Sequence, residues 1–85
     1  MNEYNELDIK IFEGEYTNGL RNGKGKEFYN NGKLLFEGEY KNGLKNGKGK
    51  LYDKNGKIIV DGEYSNGYEW NVKEYDKNNT LKVVL

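Results

Sequence analysis

Hydrophobic and polar residues alternate with a period of two along much of this 85-residue chain, which is typical of β-strands. The clearest run is KLLFEGEY at 33–40, in which Leu34, Phe36 and Tyr40 fall on one face of an extended chain. The same alternation at 9–16 and 57–64 predicts two further strands. No segment shows the 3.6-residue period of a helix, so we expect an all-β protein.

The strands at 9–16 and 33–40 are each followed by a shorter strand candidate, GKEFY at 25–29 and GKLYD at 49–53. Asn-Gly pairs stand between the two strands, and Asn-Gly is a strong signal for a tight hairpin turn. The pairs are Asn18-Gly19 and Asn22-Gly23 in the first unit and Asn42-Gly43 and Asn46-Gly47 in the second, with Asn31-Gly32 and Asn55-Gly56 leading into the following unit. We therefore predict an antiparallel β-meander of about seven strands, formed by stacked β-hairpins in a single elongated twisted sheet.

The hairpins repeat with a period of 24 residues. Full repeats cover 12–35 and 36–59, a partial repeat covers 1–11, and a degenerate, capping repeat covers 60–85. We expect one domain over 1–85. Residues up to about 8 are interpreted either as part of the truncated repeat or as a disordered tail.

Glycines recur in the middle of the predicted strands, where glycine normally weakens a sheet. Gly14, Gly38 and Gly62 each have a large side chain two residues away on the same face. We infer that aromatic rings lie over glycines of the neighbouring strand. On the other face, Glu13 is expected to meet Lys26 across the hairpin.

Composition narrows the function classes. Lys plus Arg and Asp plus Glu both number 14, and the chain has neither Cys nor His. It therefore lacks thiolate ligands, the commonest metal ligand and the commonest general base. We predict no catalytic residues, no metal site and no cofactor, and hence not an enzyme. The polar N-terminus and the lack of a long apolar run lead us to expect a cytoplasmic protein.

The pattern aromatic-Glu-Gly-Glu-Tyr-x-Asn-Gly-x-Arg/Lys-Asn-Gly-Lys-Gly, present at 12–25 and 36–49, resembles the MORN repeat. Relative to the usual pattern, Phe replaces the first Tyr, Tyr replaces Trp and Asn replaces His. The resemblance covers about 9–79, and the 24-residue spacing is similar to that of the bacterial variant. It implies hairpins stacked into an elongated twisted sheet, and it supplies no catalytic residue.

For function, the resemblance implies binding. Eukaryotic MORN proteins act as scaffolds at membranes and in multi-protein assemblies, with phospholipid binding attributed to some, and bacterial ones are often described as antitoxin-like. Our leading hypothesis is a non-catalytic protein-binding module, a small inhibitor or antitoxin-like protein that occludes or bridges a larger protein.

The third repeat departs from the pattern at 68–72, where the basic, Gly-rich segment becomes aromatic. Two interpretations stay open, a cap that ends the stack and a partner-binding patch rich in Tyr and Trp. The predicted partner-binding residues are Tyr16, Tyr40, Tyr64, Tyr68, Trp70 and Val72.

Two other hypotheses remain. A membrane-associated scaffold would bind anionic phospholipid head groups through basic hairpin loops. The residues for that alternative are Arg21, Lys24, Lys26, Lys45, Lys48 and Lys50. The apolar C-terminal segment 80–85 is a predicted edge strand through which a homodimer could form. Nucleic acid is not an expected partner, because the aromatic residues are assigned to packing on glycine.

Overall fold

Eight antiparallel strands form one sheet in the computed structural model, which describes residues 1–76, 78 and 80–82. In chain order the strands are β1 (Asn2–Tyr4), β2 (Lys10–Thr17), β3 (Leu20–Phe28), β4 (Leu34–Lys41), β5 (Leu44–Tyr52), β6 (Ile58–Ser65), β7 (Tyr68–Tyr75) and β8 (Leu81–Lys82). Each strand pairs with its neighbours in sequence, and no helix occurs in the described part of the chain. The predicted all-β meander of stacked hairpins is confirmed.

The sheet has one more strand than the sequence predicted. Asn2–Tyr4 pairs with β2, with Asn2 opposite Glu13, so the first residues extend the stack of repeats and are not a disordered tail. At the other end, β8 contains two residues of the predicted strand 80–85. The rest of that predicted strand, 83–85, lies outside the described residues.

The hairpin turns are tighter than predicted. The Asn18-Gly19 pair alone forms the turn between β2 and β3, with φ angles of 52° and 81°. The prediction that Asn22-Gly23 also lies in the loop is wrong, because β3 already begins at Leu20. Gly23 has a φ of 102° and lies in a stretch of β3 where the register with β2 shifts, as in a β-bulge.

The aromatic face holds the core, as the alternation predicted. Phe12 and Phe36 are 0% exposed, and Tyr40 and Tyr64 are 5% exposed. Their rings meet edge to face: Phe12 lies 5.3 Å from Tyr40, and Phe36 lies 5.3 Å from Tyr64, between ring centroids. Such pairs contribute about 0.5–1.5 kcal/mol beyond the burial of their area. The core is therefore a ladder of rings that runs from repeat to repeat.

Glycine makes this ladder possible. A Cβ added at Gly25 would lie 2.5 Å from Phe12 Cζ, which is closer than real Cβ atoms come, and 3.0 Å from Tyr40 Cε1, which is a tight contact. Gly49 is covered in the same way by Phe36 and Tyr64. The predicted contact between aromatic rings and cross-strand glycines is confirmed, and it is how a sheet one layer thick buries apolar side chains.

Candidate binding surfaces

In the first two full repeats, the tyrosine that packs on the core uses its hydroxyl to reach a glutamate 13 residues earlier. Tyr16 donates to Glu3, and Tyr40 donates to Glu27. Burial, and then the hydrogen bond to Glu27, raises the pKa of Tyr40 well above the ordinary tyrosine range. These hydroxyls are occupied inside the protein and are not offered to a ligand.

Two cations complete these clusters. Arg21 forms a two-pronged ion pair with Glu3, with Nε 2.8 Å from Oε2 and Nη2 3.0 Å from Oε1. Its guanidinium lies 3.9 Å from the ring centroid of Phe12. One repeat later, Lys45 lies 3.6 Å from Glu27 Oε2. The Arg21 guanidinium holds the pKa of Glu3 below its usual range, because the hydrogen bond favours the ionised carboxylate.

The third repeat lacks this arrangement. Leu51 stands 13 residues before Tyr64, where the other repeats have a glutamate, and the Tyr64 hydroxyl is buried without a hydrogen-bond partner. Glu69 replaces the cation. Burial, with Glu69 as the next cause, raises the pKa of Tyr64 to about 12.

The predicted partner-binding residues fall into two groups. Tyr40 and Tyr64 are core residues, and Tyr16 is half-buried against that core. Tyr68 and Trp70, by contrast, are 77% and 64% exposed at the start of β7. The sixth residue, Val72, pairs with Gly62 where the earlier repeats pair two glycines, and it is half-buried against the core. Their predicted role in binding stays a prediction, and Tyr68 and Trp70 are the members open to a partner.

The predicted basic residues also divide between two faces. Arg21 and Lys45 lie on the aromatic face, where each is near a glutamate and an aromatic ring. The other four, Lys24, Lys26, Lys48 and Lys50, lie on the opposite face. All six belong to strands β3 and β5 and not to loops, because the hairpin turns are short. The structure therefore does not gather them into one basic stripe.

The charged face carries an open groove of about 830 Å³ that the sequence interpretation missed. Its floor is a row of glycines on successive strands: Gly14 pairs with Gly25, Gly25 with Gly38, Gly38 with Gly49 and Gly49 with Gly62. Any side chain at these positions would point to the aromatic face, so on the charged face the backbone of five neighbouring strands lies open between two rows of charged residues. The signal for it was present in the sequence as the charged residues on both sides of each glycine, Glu-Gly-Glu at 13–15 and 37–39 and Lys-Gly-Lys at 24–26 and 48–50.

The walls of the groove alternate in sign from strand to strand. One wall is the cross-strand row Glu13, Lys26, Glu37, Lys50, Asp61 and Lys73. The other wall includes Lys24, Glu39, Lys48 and Glu63, and Glu39 accepts a 2.9 Å hydrogen bond from the backbone N–H of Lys48. A groove of mixed sign has no overall preference for an anion or a cation.

The hairpin turns also contact one another along one side of the sheet, and the sequence interpretation missed this contact. Gly43 N donates a 2.8 Å hydrogen bond to the carbonyl of Arg21, and Asn42 N donates to Asn22 Oδ1 at 3.2 Å. Leu20 Cδ2 lies 3.6 Å from where a Cβ at Gly43 would stand. The turn between β4 and β5 thus rests on the start of β3.

The same contact occurs one repeat later. Gly67 N donates a 2.8 Å hydrogen bond to the carbonyl of Lys45, and Leu44 Cδ2 lies 3.7 Å from the Cβ position of Gly67. Asn66 N donates to Asn46 Oδ1 at 3.3 Å. Tyr68 follows Leu20 and Leu44 at the 24-residue spacing, which is the sequence signal that could have revealed this series.

Two searches of the described residues were negative. No cluster of three or more acidic side chains is placed to hold a metal ion, and the chain has no His or Cys. Within the same residues, no helix has the length and hydropathy needed to cross a membrane.

Comparison with known families gives two matches. The MORN repeat model matches residues 36–58, and the MORN repeat variant model matches residues 21–42. A comparison with curated proteins gives no match. MORN repeats are generally protein- or membrane-binding modules, a binding type of repeat and not a catalytic one. The matches agree with the hairpin geometry and with the resemblance in the sequence: residues 21–58 match MORN repeats.

Proposed function

We propose that this protein is a non-catalytic protein-binding module that covers or bridges a larger protein, as a small inhibitor or antitoxin does. One observation carries the proposal: Tyr68 and Trp70 lie near each other at the start of β7 and are 77% and 64% exposed. Tyr and Trp are the residues that most often dominate binding energy at protein interfaces. The other aromatic rings at the sheet centre are used in the core.

The position of these two residues also favours binding over capping. In the first two repeats the residue that corresponds to Tyr68 is a leucine that contacts the next turn. Trp70 corresponds to Asn22 and Asn46, which accept hydrogen bonds from the next turn. The third repeat replaces both with large amphipathic rings, and a cap would instead be expected to cover its apolar surface.

The test is capture of the partner from cells that make the protein, followed by affinity measurements on the identified complex. We expect Trp70→Ala and Tyr68→Ala each to weaken binding by about 2 kcal/mol, as hot-spot residues do. Tyr4→Ala is the matched control, because Tyr4 is also an exposed tyrosine, at 54%, on a strand at the other end of the sheet. Full affinity of a folded Trp70→Ala protein would show that another surface binds.

The alternative, binding to anionic phospholipid, has weaker support. Arg21 and Lys45 are engaged by Glu3 and Glu27 on one face, and the remaining predicted lysines alternate with carboxylates on the other. A head group would have to compete with these carboxylates. We expect no flotation with anionic vesicles at low salt. Salt-sensitive flotation that is lost in Lys24→Ala/Lys48→Ala would instead support the lipid hypothesis.

A further inference from the structure

The start of β7 repeats the backbone position that binds a hairpin turn at the starts of β3 and β5. Arg21 and Lys45 accept the glycine N–H of the following turn through their carbonyls. Glu69 is the corresponding residue of β7, and no described turn donates to its carbonyl. Glu69 pairs with Tyr64 as Lys45 pairs with Tyr40, and Tyr68 and Trp70 beside it are exposed. The site made by Tyr68, the Glu69 carbonyl and Trp70, which we call the open turn site, therefore has the matching carbonyl and two exposed rings but no turn on it among the described residues.

We propose that the open turn site binds a glycine-containing β-turn presented by the partner protein. This rests on the proposed function and names what the partner offers at that surface. The argument is continuity, because the chain makes this same contact twice within itself, with hydrogen bonds of 2.8 Å in both cases. The turn that fits has a residue of positive φ followed by Gly, as Asn42 and Gly43 have with φ angles of 52° and 88°.

At the open turn site, both side chains that contact a turn in the earlier repeats are replaced by aromatic rings. Tyr68 replaces the leucine that packs on the turn, and its ring has a larger face for a bare glycine backbone. Trp70 replaces the asparagine acceptor, and indole is a donor only. The site thus keeps the carbonyl that fixes the glycine N–H and exchanges a weak polar contact for aromatic area.

A second copy of this chain does not fit the site. The turn between β2 and β3 of such a copy is accessible, because no atom lies within 4 Å of the Cβ position of Gly19. However, β1 pairs with the outer edge of β2 in that copy, and β8 pairs with the outer edge of β7 in the first. These two strands lie on the edges that the copies would have to bring side by side, β1 along 10–13 and β8 along 74–75, so the proposal commits to a different protein as the occupant.

The test uses a disulfide-cyclised peptide with the sequence of residues 39–46, EYKNGLKN, between two added cysteines. Cyclisation holds the turn in its bound shape and reduces the ordering cost. Trp70 is the only Trp of the chain, so its fluorescence reports on the open turn site directly. We expect a saturable change in emission, with a dissociation constant in the micromolar to millimolar range at about −4 to −8 kcal/mol.

The control peptide has N-methylglycine in place of the glycine, which removes the N–H that the Glu69 carbonyl would accept. We expect it to bind about tenfold more weakly. In the protein, Tyr68→Ala is expected to weaken binding of the original peptide by about tenfold, and Tyr4→Ala to leave it unchanged. Equal binding of the two peptides, or no change in Trp70 emission up to about 10 mM peptide, would overturn the proposal.

The two proposals fail in different ways. If the partner requires Trp70 but the cyclic peptide does not bind, the recognition of a turn is wrong and the binding module stands. If the partner binds Trp70→Ala with full affinity, the proposed function at this surface is wrong, whatever the peptide does. Sedimentation of the protein alone is expected to show a monomer, and a dimer abolished by Gly19→Asn but not by Gly32→Asn would show that a second copy is the occupant.

Discussion

The Tyr40 hydroxyl donates a hydrogen bond to Glu27, and this bond joins the repeat 36–59 to the repeat before it. Tyr16 and Glu3 make the same bond one repeat earlier, but Tyr64 has no partner, because Leu51 stands at the position of the glutamate. Three equivalent tyrosines thus have two different environments within one chain. The difference allows the contribution of the tyrosine hydrogen bond to stability to be measured within one protein.

Removing the hydroxyl is expected to have opposite effects at the two buried sites. Tyr40→Phe removes a charge-assisted hydrogen bond and should lower the free energy of unfolding by about 1.5–3 kcal/mol. Tyr64→Phe removes a buried hydroxyl with no partner and should leave stability unchanged or raise it by up to about 1 kcal/mol. Urea denaturation followed by circular dichroism measures both, and equal losses for the two variants would contradict this account.

Gly25→Ala is expected to destabilise the sheet by about 1–3 kcal/mol, because the added methyl group would overlap the Phe12 ring. Phe12→Leu alone also costs stability, since it removes ring contacts in the core. If the clash is the cause, the double variant should lose less than the sum of the two single losses. Additive losses in urea denaturation would show that the glycine is required for another reason.

Stability is expected to fall in alkaline solution. The pKa values of Tyr40 and Tyr64 are raised in the folded protein, that of Tyr64 to about 12, mainly because the rings are buried. The unfolded chain therefore loses these protons first, near pH 10, and unfolding becomes more favourable as the pH rises from 10 through the folded pKa values. Urea midpoints at pH 8, 10 and 11 measure this, and Tyr64→Phe should show a shallower decline.

Stability is also expected to fall in acid, for the opposite reason. The pKa of Glu3 is lowered in the folded protein by its hydrogen bond to Arg21. Its contribution is complete above the unfolded value of about 4.3 and is lost as the pH falls through the lower folded value. Glu3→Gln should be less stable than the wild type at pH 7 and lose less between pH 5 and pH 2. Glu6→Gln, an exposed glutamate on the adjacent turn, is the control and should follow the wild type.

The sequence was sufficient to predict the strands and their core face because two periods coincide in it. Alternation places Phe36 and Tyr40 on one side, and the 24-residue repeat places the same residues on the same side in each unit. The contact between rings and glycines followed from the same two periods. In each case the contacts that determine the structure join residues that are close in sequence or that stand at equivalent positions of the repeats.

Other features depend on which of several possible turns and contacts forms, and the alternation of hydrophobic and polar residues does not show this. Asn22-Gly23 has the sequence of a turn, but the chain has already turned at Asn18-Gly19, and the second pair is absorbed as a bulge in β3. The contacts between a turn and the preceding strand depend on how far the strands extend, and β3 begins at Leu20, before the predicted start at 25. The orphan hydroxyl of Tyr64 could have been inferred from Leu51 if the cross-repeat partner of the tyrosine had been known.

The strands have the same order in the sheet and in the sequence, and this affects how the sheet folds and how its number of repeats can change. Every pairing joins strands that are consecutive in the chain, so only short loops close as each hairpin forms. The sheet can therefore assemble by adding neighbours to any hairpin that has formed. For the same reason, adding or removing one 24-residue unit would leave the remaining strand pairings intact. The length of such a protein can therefore change without a new fold.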